Sequence, residues 1–163
     1  MSENYEDYQT RIVTTASPDV VFDALTTVDG LSAWWTSAAG DGTTGGELTF
    51  SFASTAQAVM RVDQADRQAG VHWTTTDCMM ADWVGTSQHF ELAPLPDGGT
   101  EVRFRHEGLT PRLECYGECK SGWDHFIPSL RAYLDTGVGD PNGSPADLAR
   151  REAREKQLAA GTA

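Results

Sequence analysis

The stretch GWDHFIPSLRAYLDTGVGDP, residues 122–141, limits the possible folds of this chain more than any other part of it. Trp123, Phe126, Ile127, Leu130, Tyr133 and Leu134 fall at i, i+3, i+4, i+7, i+10 and i+11, a single apolar stripe on a helix of 3.6 residues per turn. Thr136-Gly137, with Gly139 and Pro141 beyond, supplies the stop signal. Pro128 lies inside the pattern, where it removes one backbone hydrogen bond and crowds the carbonyl of Asp124, so a mild bend is expected there. A long helix with one apolar face needs an apolar surface to cover.

Five segments upstream supply that surface. ELTFSF puts Leu48, Phe50 and Phe52 on one side, and AVMRVD does the same for Ala58, Met60 and Val62. VHWTTT pairs Val71 with Trp73, TSQHFELA aligns Gln88, Phe90 and Leu92, and TEVRFRHE aligns Val102, Phe104 and His106. Alternation of this kind marks half-buried antiparallel strands. PLPDGGT, between the last two, reads as a hairpin turn. Nearer the start, YQTRIVTTA reads as a first strand, and SPDVVFDALT begins a helix with Ser17 as N-cap and Pro18 in its first turn. A shorter helical turn, DGLSAWW, follows, then a glycine-rich stretch from Thr36 to Gly46 expected to be a surface loop. That loop lacks a following Gly-Lys-Ser/Thr and leads into no helix, so it is not a phosphate cradle. The predicted order is β-α-α-β-β-β-β-β-α. It implies an α+β domain in which a curved antiparallel sheet of about six strands wraps a long C-terminal helix.

At 163 residues the chain fits one domain, expected over residues 1–141. Residues 142–163 change character: SPADLARREAREKQLAA is rich in helix formers and nearly devoid of apolar residues, so a solvated or frayed helical tail is expected, with Asp147–Arg151 and Glu152–Lys156 as i,i+4 pairs. A formal net charge of −12 speaks against nucleic acid and against anionic membrane surfaces as partners. No window approaches a membrane span, and the polar N-terminus MSENYEDYQT has no signal-peptide pattern. Cys78, Cys115 and Cys119 are an odd number of thiols, which suits a reducing cytoplasm better than a disulfide framework.

Taken together, ASPDVVFDALT, LSAWW, WVGTSQHFEL, GGTEVRFRHEGL and GWDHFIPSLRAYLDTGVGDP resemble, in order and spacing, the bacterial branch of the heat-shock-protein-90 ATPase activator homologues. Those proteins lie within the START-like (SRPBCC) superfamily, which includes the birch-pollen allergen fold and polyketide cyclases. The resemblance spans about residues 8–141. It implies a helix-grip fold, with the sheet curled round a helix over 119–136 and a cavity between them, on a scaffold that hosts carriers, enzymes and interaction modules alike.

The inward faces then define the candidate ligand-binding residues. Trp35 comes from the short helical turn, Phe50, Phe52, Met60, Trp73, Phe90 and Phe104 from the sheet, and Trp123, Phe126, Ile127 and Leu130 from the long helix. Gln88 and His106 interrupt this apolar surface and need partners from protein or ligand. His106 is the candidate acid–base residue, with a structural histidine as the alternative reading. Met79 and Met80 suit either a pliable entrance or a simple end cap, and Trp34 or Trp35 either a lid or an anchor. Cys115, Cys119 and His125 do not have the count or spacing of a structural zinc site, so no metal and no cofactor is expected. Motifs for nucleophilic catalysis are missing from the sequence. The function expected is binding of a small hydrophobic or aromatic molecule between sheet and helix. A cyclase- or hydratase-like enzyme using His106 and a chaperone-activator-like interaction module are the alternatives, and a homodimer clasped by the tail or another protein partner is compatible with either.

Overall fold

The computed structural model describes residues 6–53 and 56–161. Residues 1–5, where the polar N-terminal stretch begins, and 162–163, at the end of the tail, lie outside the described residues. The element order is β1 (Tyr8–Thr14), α1 (Pro18–Thr26), α2 (Val28–Trp34), β2 (Ser37–Gly40), β3 (Glu47–Ala53), β4 (Ala56–Asp66), β5 (Gly70–Cys78), a 3-10 turn (Ala81–Trp83), β6 (Ser87–Pro94), β7 (Thr100–Glu107), α3 (Tyr116–Thr136) and α4 (Pro145–Gly161). One antiparallel sheet runs β1-β7-β6-β5-β4-β3-β2, with α3 across its apolar face: the helix-grip arrangement.

Local chemistry sets the element ends. Ser17 caps α1 by accepting from the Val20 amide, and Thr27 caps α2 by accepting from Gly30. The β6–β7 turn uses Gly98 at φ +91°, while the Asp97 carboxylate accepts from the Gly99 amide. α3 begins three residues earlier than the sequence suggests, passes through Pro128 without a break, and closes on Gly137 at φ +86°.

The sheet has seven strands rather than about six. The additional strand is β2, at the start of the glycine-rich stretch read as a loop, with Ala38 opposite Phe50 and Gly40 opposite Leu48. Four residues of Ser, Ala and Gly carry no alternation of large side chains, so nothing local announces a strand; the open edge of β3 recruits their backbone. Gly40 is required there, at φ +113°, because a Cβ would lie 2.1 Å from the Glu47 carbonyl oxygen.

The interior is packed solid. Phe50, Met60, Val62, Trp73, Phe90 and Phe104 from the sheet meet Trp123, Phe126, Ile127 and Leu130 from α3, all buried. Ring centroids run in an unbroken chain: Trp35–Phe50 4.3 Å, Phe50–Trp73 5.7 Å, Trp73–Phe90 5.1 Å, Phe90–Phe104 4.8 Å and Phe104–Trp123 4.5 Å. Tyr133 and Leu134, the last two members of the predicted stripe, are half-buried. Polar contacts pin α3 in place: Tyr8 Oη donates to Asp124 (2.6 Å), Thr14 Oγ1 to Asp135 (2.6 Å) and Ser129 Oγ to the Trp34 carbonyl (2.8 Å).

The C-terminal segment is helical, as its composition predicts, but it is docked rather than solvated throughout. Asp147 is fully buried and accepts from the Gly143 amide, Arg150 and Arg151. Arg150 also donates to Ser121 Oγ (3.0 Å), and Arg154 pairs with Glu118 (2.6 Å) on α3. The sequence signal fails here because the attachment is polar; an apolar stripe is not what holds this helix. Among the described residues no helix is long and apolar enough to cross a membrane.

Candidate ligand-binding site

Because aromatic rings fill the space under the middle of α3, the room left for a ligand lies at one end of the grip. A cavity of about 250 Å³ opens between the first half of α3, the 3-10 turn, the end of β3 and the start of α4. Its apolar wall is Trp35, Phe52, Met79, Met80, Trp83, Cys119, Trp123 and Phe126; its polar rim is Glu118, Asn142, Arg150 and Arg151. Gly122 completes the α3 side, where a Cβ would meet nothing within 4 Å. A groove of about 460 Å³ on the outer sheet face is larger, but it is lined by Arg11, Arg103, Arg105, Glu91 and other polar groups, and its arginines pair with Glu101, Asp7 and Glu107. An apolar molecule has little to gain there.

Each wall residue is placed by the fold. Trp35 ends α2, its amide donating to the Leu31 carbonyl, and its ring lies 5.0 Å from Trp123 and 5.8 Å from Phe52. Trp83 Nε1 donates to Cys119 Sγ (3.0 Å), and its ring stacks on Trp123 at 6.0 Å. Cys119 Sγ in turn donates to Met80 Sδ at 3.6 Å. Burial pushes the Cys119 thiol well above its usual range in spite of the Trp83 N–H, so it stays a neutral thiol. Asn142 ties the rim together: its amide donates to the Trp35 carbonyl (2.6 Å) and its side chain to the Phe52 carbonyl (3.0 Å).

His106 stands behind this wall, fully buried, not in the cavity. Trp123 Nε1 donates to its Nδ1 at 3.0 Å. An indole N–H can only donate, so Nδ1 carries the lone pair and Nε2 the proton. Thr86 Oγ1 lies 2.8 Å from Nε2 and donates its own hydrogen to the Trp83 carbonyl at 2.6 Å, so it accepts from the histidine. The Gln88 amide nitrogen also lies 3.0 Å from Nε2 but, being a donor, it cannot accept that proton and donates to Thr75 Oγ1 (3.0 Å) instead. Burial lowers the His106 pKa to about 3, with His89 adding to the effect. Neutral and fully engaged, the ring has no free site for proton transfer at physiological pH.

The predicted residues therefore divide. Trp35, Phe52, Trp123 and Phe126 line the cavity. Phe50, Met60, Trp73, Phe90, Phe104, Ile127 and Leu130 do not; they form the packed interior beneath it. Gln88 and His106 form the hydrogen-bonded backing of the Trp123 wall. Alternation identifies which side chains point inward, but not where along the helix they stop touching one another. Trp83, Glu118, Cys119, Gly122, Asn142, Arg150 and Arg151 were outside the predicted set; the last three follow α3, where no hydrophobic period links them to the sheet. Met79 and Met80 do sit at the entrance. His125 turns to the Asp140 carbonyl (2.9 Å), away from the thiols.

The family model described as Activator of Hsp90 ATPase homolog 1-like protein matches residues 15–135. The Aha1 dimer of Colwellia psychrerythraea, solved in solution, is 30% identical, with a TM-score of 0.72 over 82% of this chain and 99% of that one. Protein MLL2253 of Mesorhizobium loti is 20% identical (TM-score 0.68, 79% of this chain and 96% of its own), and CalU16 of Micromonospora echinospora is 16% identical (TM-score 0.65, 97% and 98%). At those identities the latter two show the fold alone. Among curated proteins there is no match. The matched span holds both short helices, β2 to β7 and nearly all of α3, most of the stretch over which the sequence motifs carry the resemblance, and the chain belongs to the family of Activator of Hsp90 ATPase homolog 1-like proteins.

Proposed function

We propose that this protein binds a small apolar or aromatic molecule in the cavity at the mouth of the grip and performs no covalent chemistry on it. The observation that carries this reading is the cavity itself: about 250 Å³ walled by five aromatic side chains, two methionines and a thiol, at the end of an aromatic-packed core. Concave apolar sites with a few converging polar groups are the usual small-molecule sites. The engaged ring of His106 takes away the base that a cyclase- or hydratase-like reaction would need. A reducing cytoplasm suits the three unpaired thiols. A second reading, self-association or contact with another protein, is favoured by the Colwellia relative, which is described as a dimer.

Gly122 tests the first reading. Naphthalene, an uncharged bicyclic probe, should quench tryptophan fluorescence saturably, since Trp35, Trp83 and Trp123 line the cavity. Gly122→Leu should fill the space and abolish that binding. The same substitution should keep or raise stability, because a mid-helix glycine costs about 0.5–1 kcal/mol and the added side chain enters open space. Failure of naphthalene to bind up to its solubility limit, or equal binding by Gly122→Leu, would refute the carrier reading and leave protein contact standing.

A further inference from the structure

Resting on that reading, we propose that the ligand is a carboxylic acid of about ten heavy atoms in all, apolar but for a carboxylate held by Arg150 and Arg151 of α4. Size comes first. A cavity near 150 Å³ accommodates benzene, so 250 Å³ scales to about ten non-hydrogen atoms, a single aromatic ring or short chain with a head group.

Charge comes second. The protein as a whole carries −12, yet two arginines stand on the rim of its apolar cavity. Both are aimed by one buried carboxylate: Asp147 Oδ1 takes Nε and Nη2 of Arg150 (3.2 and 2.7 Å), and Oδ2 takes Nη2 of Arg151 (2.7 Å). Burial would raise the Asp147 pKa, but the Gly143 amide and the two guanidiniums outweigh it and hold the group ionised. Glu118, the other carboxylate on the rim, is matched by Arg154 at 2.6 Å. Three cations against two anions leave one positive charge at the mouth, which suits a monoanion better than a phosphate dianion.

Geometry comes third. Each guanidinium has five N–H donors. Arg150 spends three, two on Asp147 and one on Ser121, and its plane lies 5.7 Å above the Phe126 ring. Arg151 directs one nitrogen, Nη2, at Asp147 and Asn142, which leaves Nε and Nη1 for a ligand. These two nitrogens do not share an edge of the guanidinium, so each offers a single charge-assisted N–H to a carboxylate oxygen. The head-group contact thus comes from a helix beyond the span that the family model matches.

The experiment compares 3-phenylpropanoate with its neutral isostere 3-phenylpropanamide, titrated into the full-length protein by calorimetry at low salt. The acid should bind at least about tenfold more tightly, the factor expected of one charge-assisted contact. Arg151→Gln, which leaves Arg150 on Asp147, should lose the preference for the acid over the amide. Equal affinities in the unmodified protein, or a preference that survives Arg151→Gln, would overturn the head-group assignment and leave the apolar carrier intact. If neither compound binds, both readings fall. The acid-to-amide ratio of the unmodified protein stands on its own should Arg151→Gln fold poorly.

Discussion

Acidification should expose the structural role of His106 quantitatively. Its pKa is about 3 in the folded protein, against about 6.5 for an unperturbed histidine. Below pH 6.5 the unfolded chain therefore takes up a proton that the folded one refuses, and stability falls with a limiting slope of about 1.4 kcal/mol per pH unit until the pH nears 3. Integrated from pH 7 to pH 5, the loss from this residue is about 2 kcal/mol. Asp63, Asp135 and Asp147 have depressed pKa values and lose their contributions only around and below the ordinary carboxylate range, so they fall outside that interval. His72, also lowered, works in the same direction as His106, but it is about a third exposed and its share is smaller. Urea unfolding at pH 7, 6 and 5, with His106→Gln as reference, isolates the residue. The variant should be less stable at pH 7, because it breaks the Trp123 and Thr86 contacts, and the gap to the parent should close by about 2 kcal/mol at pH 5. A gap that stays constant across this range, or an imidazole resonance titrating near pH 6 in the folded protein, would refute the buried-network account and return His106 to the list of acid–base candidates.

Two further outcomes follow from the packing. Leu130 is fully buried on α3 among the sheet aromatics, so Leu130→Asp should destabilise the fold by at least about 4 kcal/mol, read as a fall in the chemical denaturation midpoint; a midpoint within error of the parent would mean that α3 does not cover the sheet. The described contacts between α4 and α3 are the Arg154–Glu118 ion pair, the Arg150–Ser121 hydrogen bond and the Arg150 guanidinium over the Phe126 ring, so amide exchange in residues 148–160 should accelerate in 1 M NaCl while the sheet stays protected; unchanged exchange would point to apolar anchoring instead.

The parts of this fold that were legible in the sequence are those specified by large apolar side chains. The stripe on α3 and the alternation of β3 to β7 place Phe50, Trp73, Phe90, Phe104, Trp123 and Leu130 on facing surfaces, and all are buried. Capping chemistry marked the start of α1 at Ser17 and Pro18. What stayed hidden was held by backbone or by charge. β2 exists because β3 offers an open edge, and α4 docks because Asp147 gathers the Gly143 amide and two guanidiniums. Neither device has a hydrophobic period. The site shows the same division: hydrophobic periodicity pointed to Trp35, Phe52, Trp123 and Phe126, but it also offered seven residues that touch one another instead of a ligand. Inwardness is a one-residue property, whereas a void depends on the volumes of all the neighbours together.

That distinction bears on how such a protein can change what it binds. Truncating one of the packed aromatics, Trp73 or Phe90 for instance, would cost about 3–5 kcal/mol, a large share of the stability of any domain this size. The cavity wall is built partly from the same layer, since Trp123 is both wall and partner of His106 and Phe104. Enlarging the apolar end therefore carries a stability penalty. The rim does not share that constraint: Arg151 is substantially exposed, and Asn142 and Arg150 lie on a segment outside the matched family span. Substitutions there alter charge and hydrogen-bond donors at the mouth without opening the aromatic interior. On this fold the segment after α3 is thus where ligand choice can vary at least cost to stability, and a relative that keeps the sheet and α3 but replaces α4 should retain apolar binding while losing the preference for an acid.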